Sequence, residues 1–289
     1  MILVTGAAGK TGRAVVRALG ALGTSVRALV YRPTQVPVLM SLGVQDVVAG
    51  DMRTQAVLDR AVEGVQSVYH ICPNMSPDEF ALGQMITQAA RTAGVTHFVY
   101  HSVLHPQTEA MPHHWQKLRV EEHIFETGLP YTILQPAAYM QNVLAGWGAI
   151  VEHGVYRVPY ALDTRLGMVD LEDVAAVAAT VLTESGHLGA VYELSGAEAL
   201  TQIEVAAELS RGLGRPVQAE LISLDEWERG ARAAGLGNYQ VETLIKMFHY
   251  YEQYGLWGNP NALTWLLGRQ PMTFSAFVER SAGNRSAVI

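Results

Sequence analysis

The chain has 289 residues, 49% of them hydrophobic, and a formal net charge of −7. That apolar content is ample for a substantial core and excludes general disorder. The acidic residues are spread out and no basic stripe exists, which argues against direct nucleic-acid binding through phosphates.

The opening run Met1-Ile2-Leu3-Val4 stops at Thr5-Gly6 with no basic segment before it. It is too short for a signal-peptide core or a membrane span. The apolar stretch 174–182 follows acidic caps and has the length of a buried helix. Cys72 is the lone cysteine, so no internal disulfide forms, in keeping with a reducing compartment. The expectation is a soluble cytoplasmic protein without membrane attachment.

In chain order, residues 2–4 predict a buried strand. Residues 13–22 predict a helix with Val15, Val16, Leu19 and Leu22 on its apolar side. Strands follow at 26–30, with Pro33 at the exit, and at 47–48, ending at Gly50. Residues 67–71, 98–102 and 131–134 repeat the pattern, with helices at 80–92 and 114–126 between them. Near-continuous apolar strands alternating with amphipathic helices predict a parallel sheet covered on both faces. The expected fold is α/β, a doubly wound (Rossmann) parallel sheet with a smaller, mainly helical C-terminal substrate region. The dinucleotide-binding core is expected at 1–142, with later strands contributed from 143–222. The region 143–289 is expected to pack on the sheet's carboxyl edge.

Beyond Asn142, Asp170-Leu171-Glu172-Asp173 reads as a helix start whose acids complement the dipole. Thr201-Gln202-Ile203-Glu204 has the form of a capping box, and Gly212, Gly214 and Pro216 end that helix. Residues 224–277 are expected to be mainly helical. There Leu244, Phe248, Tyr251 and Tyr254 fall at helical spacing; most such aromatics are core, and one or two could wall an apolar pocket. The stretch 281–289 is small and polar enough to be loose.

The turn Thr5-Gly6-Ala7-Ala8-Gly9-Lys10-Thr11-Gly12 lies directly after a strand and opens a helix. In that context Gly6 permits the tight turn, Gly9 lets the backbone approach phosphate, and Gly12 brings the helix close to the strands. A triphosphate P-loop is excluded, because Val4 stands where that motif requires a glycine. The turn predicts a nicotinamide dinucleotide whose pyrophosphate meets the helix N-terminus. The second strand ends Tyr31-Arg32-Pro33 with no carboxylate for a ribose 2′-hydroxyl. Arg32 could instead pair with a 2′-phosphate, so NADP(H) is preferred and NAD(H) remains admissible; a solvated arginine is the competing reading. Cys72, Pro73 and Asn74 end a strand at the same edge, where the backbone is expected beside the adenosine ribose or pyrophosphate. Cys72 itself reads as a small buried residue rather than a reactive thiol.

These residues resemble the NmrA-like branch of atypical short-chain dehydrogenases/reductases. The glycine turn, Tyr31-Arg32-Pro33, Gly50-Asp51-Met52, Tyr131 to Pro136, Tyr139-Met140-Gln141-Asn142, Val169 to Ala175 and Tyr192 to Gly196 carry the likeness. The resemblance implies that Asp51 and Met52 lie near adenine. It implies likewise that Ser102, Pro136 and Ala138 lie on the nicotinamide side, a turn serine being the alternative for Ser102. That family includes NADPH-dependent quinone and dye reductases, relatives acting on phenylpropanoid substrates, and non-enzymatic redox-sensing regulators.

The chain departs from the wider superfamily in one respect: no tyrosine precedes a lysine by four residues. At that place stands His113-His114-Trp115-Gln116-Lys117. Pro112 suits a first helical turn, so His113 and Lys117 would share a helix face. By resemblance Lys117 bonds the nicotinamide ribose and orients the cofactor, a solvent-facing charge being the competing reading. His113 could supply a proton, or be a surface histidine. Without the tyrosine, an acceptor giving a stabilised phenolate or neutral product is favoured over a simple ketone. The expectation is hydride transfer from NADPH to a quinone-like or conjugated aromatic acceptor, with a non-catalytic NADP(H) sensor as the alternative. A homo-oligomer or a regulatory protein partner is left open. No metal site is expected: His97, His101, His105, His113, His114 and His123 lack ligand spacing, and Pro106 interrupts the pair at 101 and 105.

Overall fold

The structure is a computed structural model and describes residues 1–283. The chain divides into two compact units, one of 1–109, 113–135 and 174–192, the other of 110–112, 136–173 and the remainder.

The strands are β1 Ile2–Val4, β2 Val26–Val30, β3 Asp46–Ala49, β4 Ser67–His70, β5 His97–His101, β6 Tyr131–Pro136, β7 Ala138–Tyr139, β8 Val155–Val158, β9 Leu166–Val169, β10 Ala190–Leu194, β11 Ala199–Leu200 and β12 Gln218–Leu221. The helices are α1 Lys10–Ala21, α2 Val36–Met40, α3 Gln55–Val62, α4 Glu79–Thr92, α5 Pro112–Thr127, α6 Trp147–His153, α7 Leu171–Thr183, α8 Gln202–Leu213, α9 Leu224–Ala233, α10 Asn238–Tyr254, α11 Asn261–Leu267 and α12 Phe274–Gly283.

A seven-stranded sheet runs β10-β6-β5-β4-β1-β2-β3, and its pairings from β3 through β6 are parallel. The order reverses between β1 and β4, which opens the crevice where doubly wound sheets bind ligands. The central strands β1, β4 and β5 are buried on both faces, whereas the edge strands β3 and β10 are partly open. Leu3, Val68, Phe98 and Ile133 join Leu58, Ile86, Val120 and Ile124 from α3, α4 and α5 in one core. In α1, Val15, Val16 and Leu19 are buried as the periodicity predicts, but Leu22 is 60% exposed. It forms the C-cap, where the helix has ended and the apolar stripe no longer faces the sheet.

In the second unit a three-stranded sheet orders β11-β9-β7 and a two-stranded sheet pairs β12 with β8. Thr201 caps α8 in a reciprocal box with Glu204, and Gly214 ends that helix in the left-handed region. The acids at the start of α7 have a use beyond the helix dipole. Arg280 grips Asp170 through two hydrogen bonds of 2.9 Å, and Arg269 reaches Asp173 at 2.6 Å. Phe248 and Tyr251 are buried against Tyr160, with Trp227 edge-on to Phe248. Tyr254 departs from the expected core stripe and is 61% exposed at the last residue of α10. Residues 281–283 continue α12 rather than forming a loose end, and the rest of the stretch 281–289 lies outside the described residues.

Candidate active site

The turn after β1 is built on Thr5, which is fully buried. Its Oγ1 donates to the Ile71 carbonyl at 3.0 Å and accepts from the Ile71 amide at 2.8 Å. His70 Nδ1 lies 3.0 Å from the same oxygen. With the hydroxyl proton committed to Ile71, the imidazole Nδ1–H is the donor. Thr5 therefore ties the end of β1 to the end of β4 across the switch point. Gly6 has φ +57, and a Cβ on Gly12 would stand 2.4 Å from the Gly6 carbonyl oxygen. No side chain but hydrogen fits at Gly12, so α1 begins directly against the turn.

The α1 N-terminus has no side-chain cap and no acid in its first turn. Its first helical bond runs from the Arg13 amide to the Gly9 carbonyl. Ala8 is partly exposed, and Gly9 and Lys10 are open to solvent beside Thr11. A helix N-terminus with a positive dipole and no side-chain cap fits a pyrophosphate. Arg32 is exposed at the end of β2, with its guanidinium 5.8 Å from the Tyr31 ring centroid. Asp51 accepts from the Arg53 amide at 2.9 Å, and Arg53 also reaches Asp78. Met52 packs against the core cluster. Pro73 and Asn74 are exposed after β4, whereas Cys72 is buried and its thiol is pushed up by burial and by Glu79. Burial thus favours the thiol over a nucleophilic thiolate. Pro136 is buried at the end of β6, and Ala138 is partly exposed in β7; both belong to the second unit.

Helix α5 starts at Pro112, as the first-turn proline predicts, and carries His113, Lys117 and Glu121 at four-residue intervals on one face. Lys117 Nζ donates to Glu79 Oε1 at 2.9 Å and to the His101 carbonyl at 3.2 Å. It also lies 5.3 Å from the Tyr100 ring centroid. The Tyr100 hydroxyl donates to the same Glu79 oxygen at 2.8 Å. Ser102 donates its proton to Glu121, whose two oxygens also accept from Gln135 at 3.0 Å. Burial raises the Glu121 carboxyl despite these donors.

His113 sits edge-on to His114, their ring centroids 4.5 Å apart, and its buried Nδ1 has no partner. Burial first, then His114 and Lys117, push His113 down to about 2. It is therefore a neutral imidazole at physiological pH, and a proton-donor role resting on its ordinary value does not apply to this environment. Among the described residues no group of three or more His, Cys, Asp or Glu side chains could hold a metal ion.

Sequence reasoning missed Glu79, Tyr100, Glu121, Gln135 and His70. Glu79 lies one residue before the helix expected at 80–92, where an acid reads as a dipole partner. A periodic pattern does not reveal which buried polar groups meet across strands.

The switch point, glycine turn and uncapped helix define a dinucleotide-binding protein of the Rossmann type. The chain belongs to the NmrA-like family, whose model matches residues 1–284. It is 32% identical to an NAD(P)H azoreductase of Xenophilus azovorans, over 98% of either chain. It is 38% identical to a (4-alkanoyl-5-oxo-2,5-dihydrofuran-3-yl)methyl phosphate reductase of Streptomyces griseus, covering 83% of this chain and 82% of that one. The crystal structure of Escherichia coli NADPH-dependent quinone oxidoreductase QOR2 complexed with NADPH has 29% identity and a TM-score of 0.85. That match covers 97% of this chain and 99% of the other.

Proposed function

We propose that the chain is an NADPH-dependent reductase that transfers hydride to a quinone-like or conjugated aromatic acceptor. The observation carrying this reading is the uncapped α1 N-terminus at the β1–β4 switch point, with Lys117 bonded to the last residue of β5 on the same sheet edge. The reductase names of the relatives give it independent support.

The turn residues Gly6, Ala8, Gly9, Lys10, Thr11 and Gly12 would hold the pyrophosphate, and Arg32 the 2′-phosphate. Asp51 and Met52 would flank adenine, with the backbone of Cys72, Pro73 and Asn74 beside the ribose. Ser102 would border the nicotinamide. The bound cofactor supplies the hydride. Lys117 has three donors, of which two are placed within the protein, and the third would bond the nicotinamide ribose. Burial keeps His113 neutral, so the site suits acceptors whose reduced form is a stabilised phenolate or neutral. Such chemistry, with NADPH and a single reduced cysteine, fits a cytoplasmic protein.

The uncharged state of His113 favours one other reading, a sensor that binds NADP(H) without turnover and responds through a partner or a second copy of the chain. A screen of NADPH oxidation against quinones, enones, azo dyes and triphenylmethane dyes separates the two. Native chain, Lys117→Ala and His113→Ala are compared. Turnover that Lys117→Ala loses supports the reductase; tight NADPH binding with no turnover supports the sensor.

A further inference from the structure

The titratable groups facing Lys117 come from every element around it. His70 closes β4 and Cys72 follows it; Tyr100 and His101 close β5; Glu79 opens α4; His113, His114 and Glu121 share α5 with the lysine. Burial pushes His70 and His114 to about 4, His101 to about 3 and His113 to about 2, so these imidazoles bring no charge at neutral pH. Burial also raises the Tyr100 phenol and the Cys72 thiol, which stay protonated. Glu121 is held by Ser102 and Gln135. Glu79 is the carboxylate that meets the ammonium directly.

We propose that Glu79, clamped by the Tyr100 hydroxyl, is the residue that positions Lys117 for the cofactor. The inference rests on the cofactor-side role proposed for Lys117. Lysine is a point charge on a flexible four-carbon stem, so its ammonium needs fixed acceptors to be aimed. Glu79 Oε1 and the His101 carbonyl supply two of them, which fixes the direction of the third N–H. Tyr100 donates to that same Oε1 and so fixes the carboxylate in turn. Glu79 lies in the first turn of α4, where the helix's positive end favours its charge. The side chains are only 5% and 17% exposed, so salt screens the pair little. A tyrosine and a lysine thus do share this site, linked through a carboxylate rather than by the four-residue spacing of one helix.

The test titrates NADPH by fluorescence, with no acceptor present, from about pH 6 to about pH 9. Native chain, Glu79→Gln, Glu79→Asp, Tyr100→Phe and Lys117→Ala are compared, and thermal unfolding of each ligand-free chain reports folding. Glu79→Gln keeps the shape and removes the charge. It is expected to weaken NADPH binding about tenfold at neutral pH, as loss of a charged hydrogen-bond partner does. The variant's binding should also fall off more steeply than the native chain's as pH rises, because the ammonium has lost its counter-charge. Glu79→Asp should recover part of both effects, and Tyr100→Phe should show a smaller loss in the same direction. A purely structural role would lower the unfolding temperature without moving the pH profile.

Native affinity and pH profile in Glu79→Gln, beside a Lys117→Ala chain that binds poorly, overturns the inference. If Glu79→Gln does not fold, native profiles in both Glu79→Asp and Tyr100→Phe overturn it equally. If Lys117→Ala itself binds NADPH as the native chain does, the role of Lys117 fails and this inference falls with it.

Discussion

The hydroxyl of Ser102, just beyond β5, donates to the carboxylate of Glu121, one turn along α5 from Lys117. The serine's single proton is thereby committed inside the protein, and Gln135 satisfies the same carboxylate from β6. Ser102→Ala is expected to destabilise the fold by about 1–3 kcal/mol, since a buried acceptor loses a donor. Denaturant unfolding measures that loss, with a fluorescence titration of NADPH run beside it. A large loss of affinity at unchanged stability would instead place the hydroxyl on the ligand.

Acid should unfold this protein through its histidines. Burial holds His70 at about 4 against an ordinary value of 6.5. Because the folded value is the lower one, the neutral imidazole contributes stability above about pH 6.5 and loses it as pH falls towards 4. For a shift of this size the contribution is roughly 3 kcal/mol. His70→Asn keeps a donor near Thr5 and removes the titration. Denaturant unfolding between pH 7 and pH 4 should show a flatter acid decline in that variant, and an unchanged decline would exclude His70 as a contributor.

Arg280 should be a principal tie of the C-terminal helix. Its two bonds reach Asp170, whose side chain is fully buried and also accepts from Gln141 at 2.5 Å. Arg280→Met strands that carboxylate and is expected to cost about 3–5 kcal/mol in denaturant unfolding. A loss below about 1 kcal/mol would mean that water replaces the guanidinium at little cost.

The elements legible in the sequence are those fixed by local rules. The strand at 26–30 and the capping box at Thr201 match because apolar runs and cap residues act within a few positions. The glycine turn was legible for the same reason, since steric need at Gly6 and Gly12 is set by the adjoining strand and helix. What sequence did not yield are partnerships across long separations. Glu79 lies 38 residues from Lys117, and Asp170 lies 110 from Arg280. Nothing in a charged residue's neighbours declares which distant charge it will meet. The burial that keeps His113 neutral is likewise a tertiary property that its sequence neighbours do not declare. Tyr254 kept the helical period of Phe248 and Tyr251, but α10 ends at that residue and the tyrosine is exposed.

Arg32 should decide between the two nicotinamide cofactors. An exposed guanidinium at the end of β2, with no carboxylate beside it in Tyr31-Arg32-Pro33, favours a 2′-phosphate. Arg32→Ala is expected to weaken NADPH by about tenfold or more and to leave NADH within about twofold, in parallel titrations. Equal losses for both cofactors would assign Arg32 to general folding of the loop.

The most direct test of the central claim is NADPH oxidation by a soluble benzoquinone, run with NADPH carrying hydrogen or deuterium at the transferring carbon. Direct hydride transfer predicts quinone-dependent oxidation that deuterium slows and Lys117→Ala greatly reduces. Saturable NADPH binding with no quinone-dependent oxidation would contradict the claim.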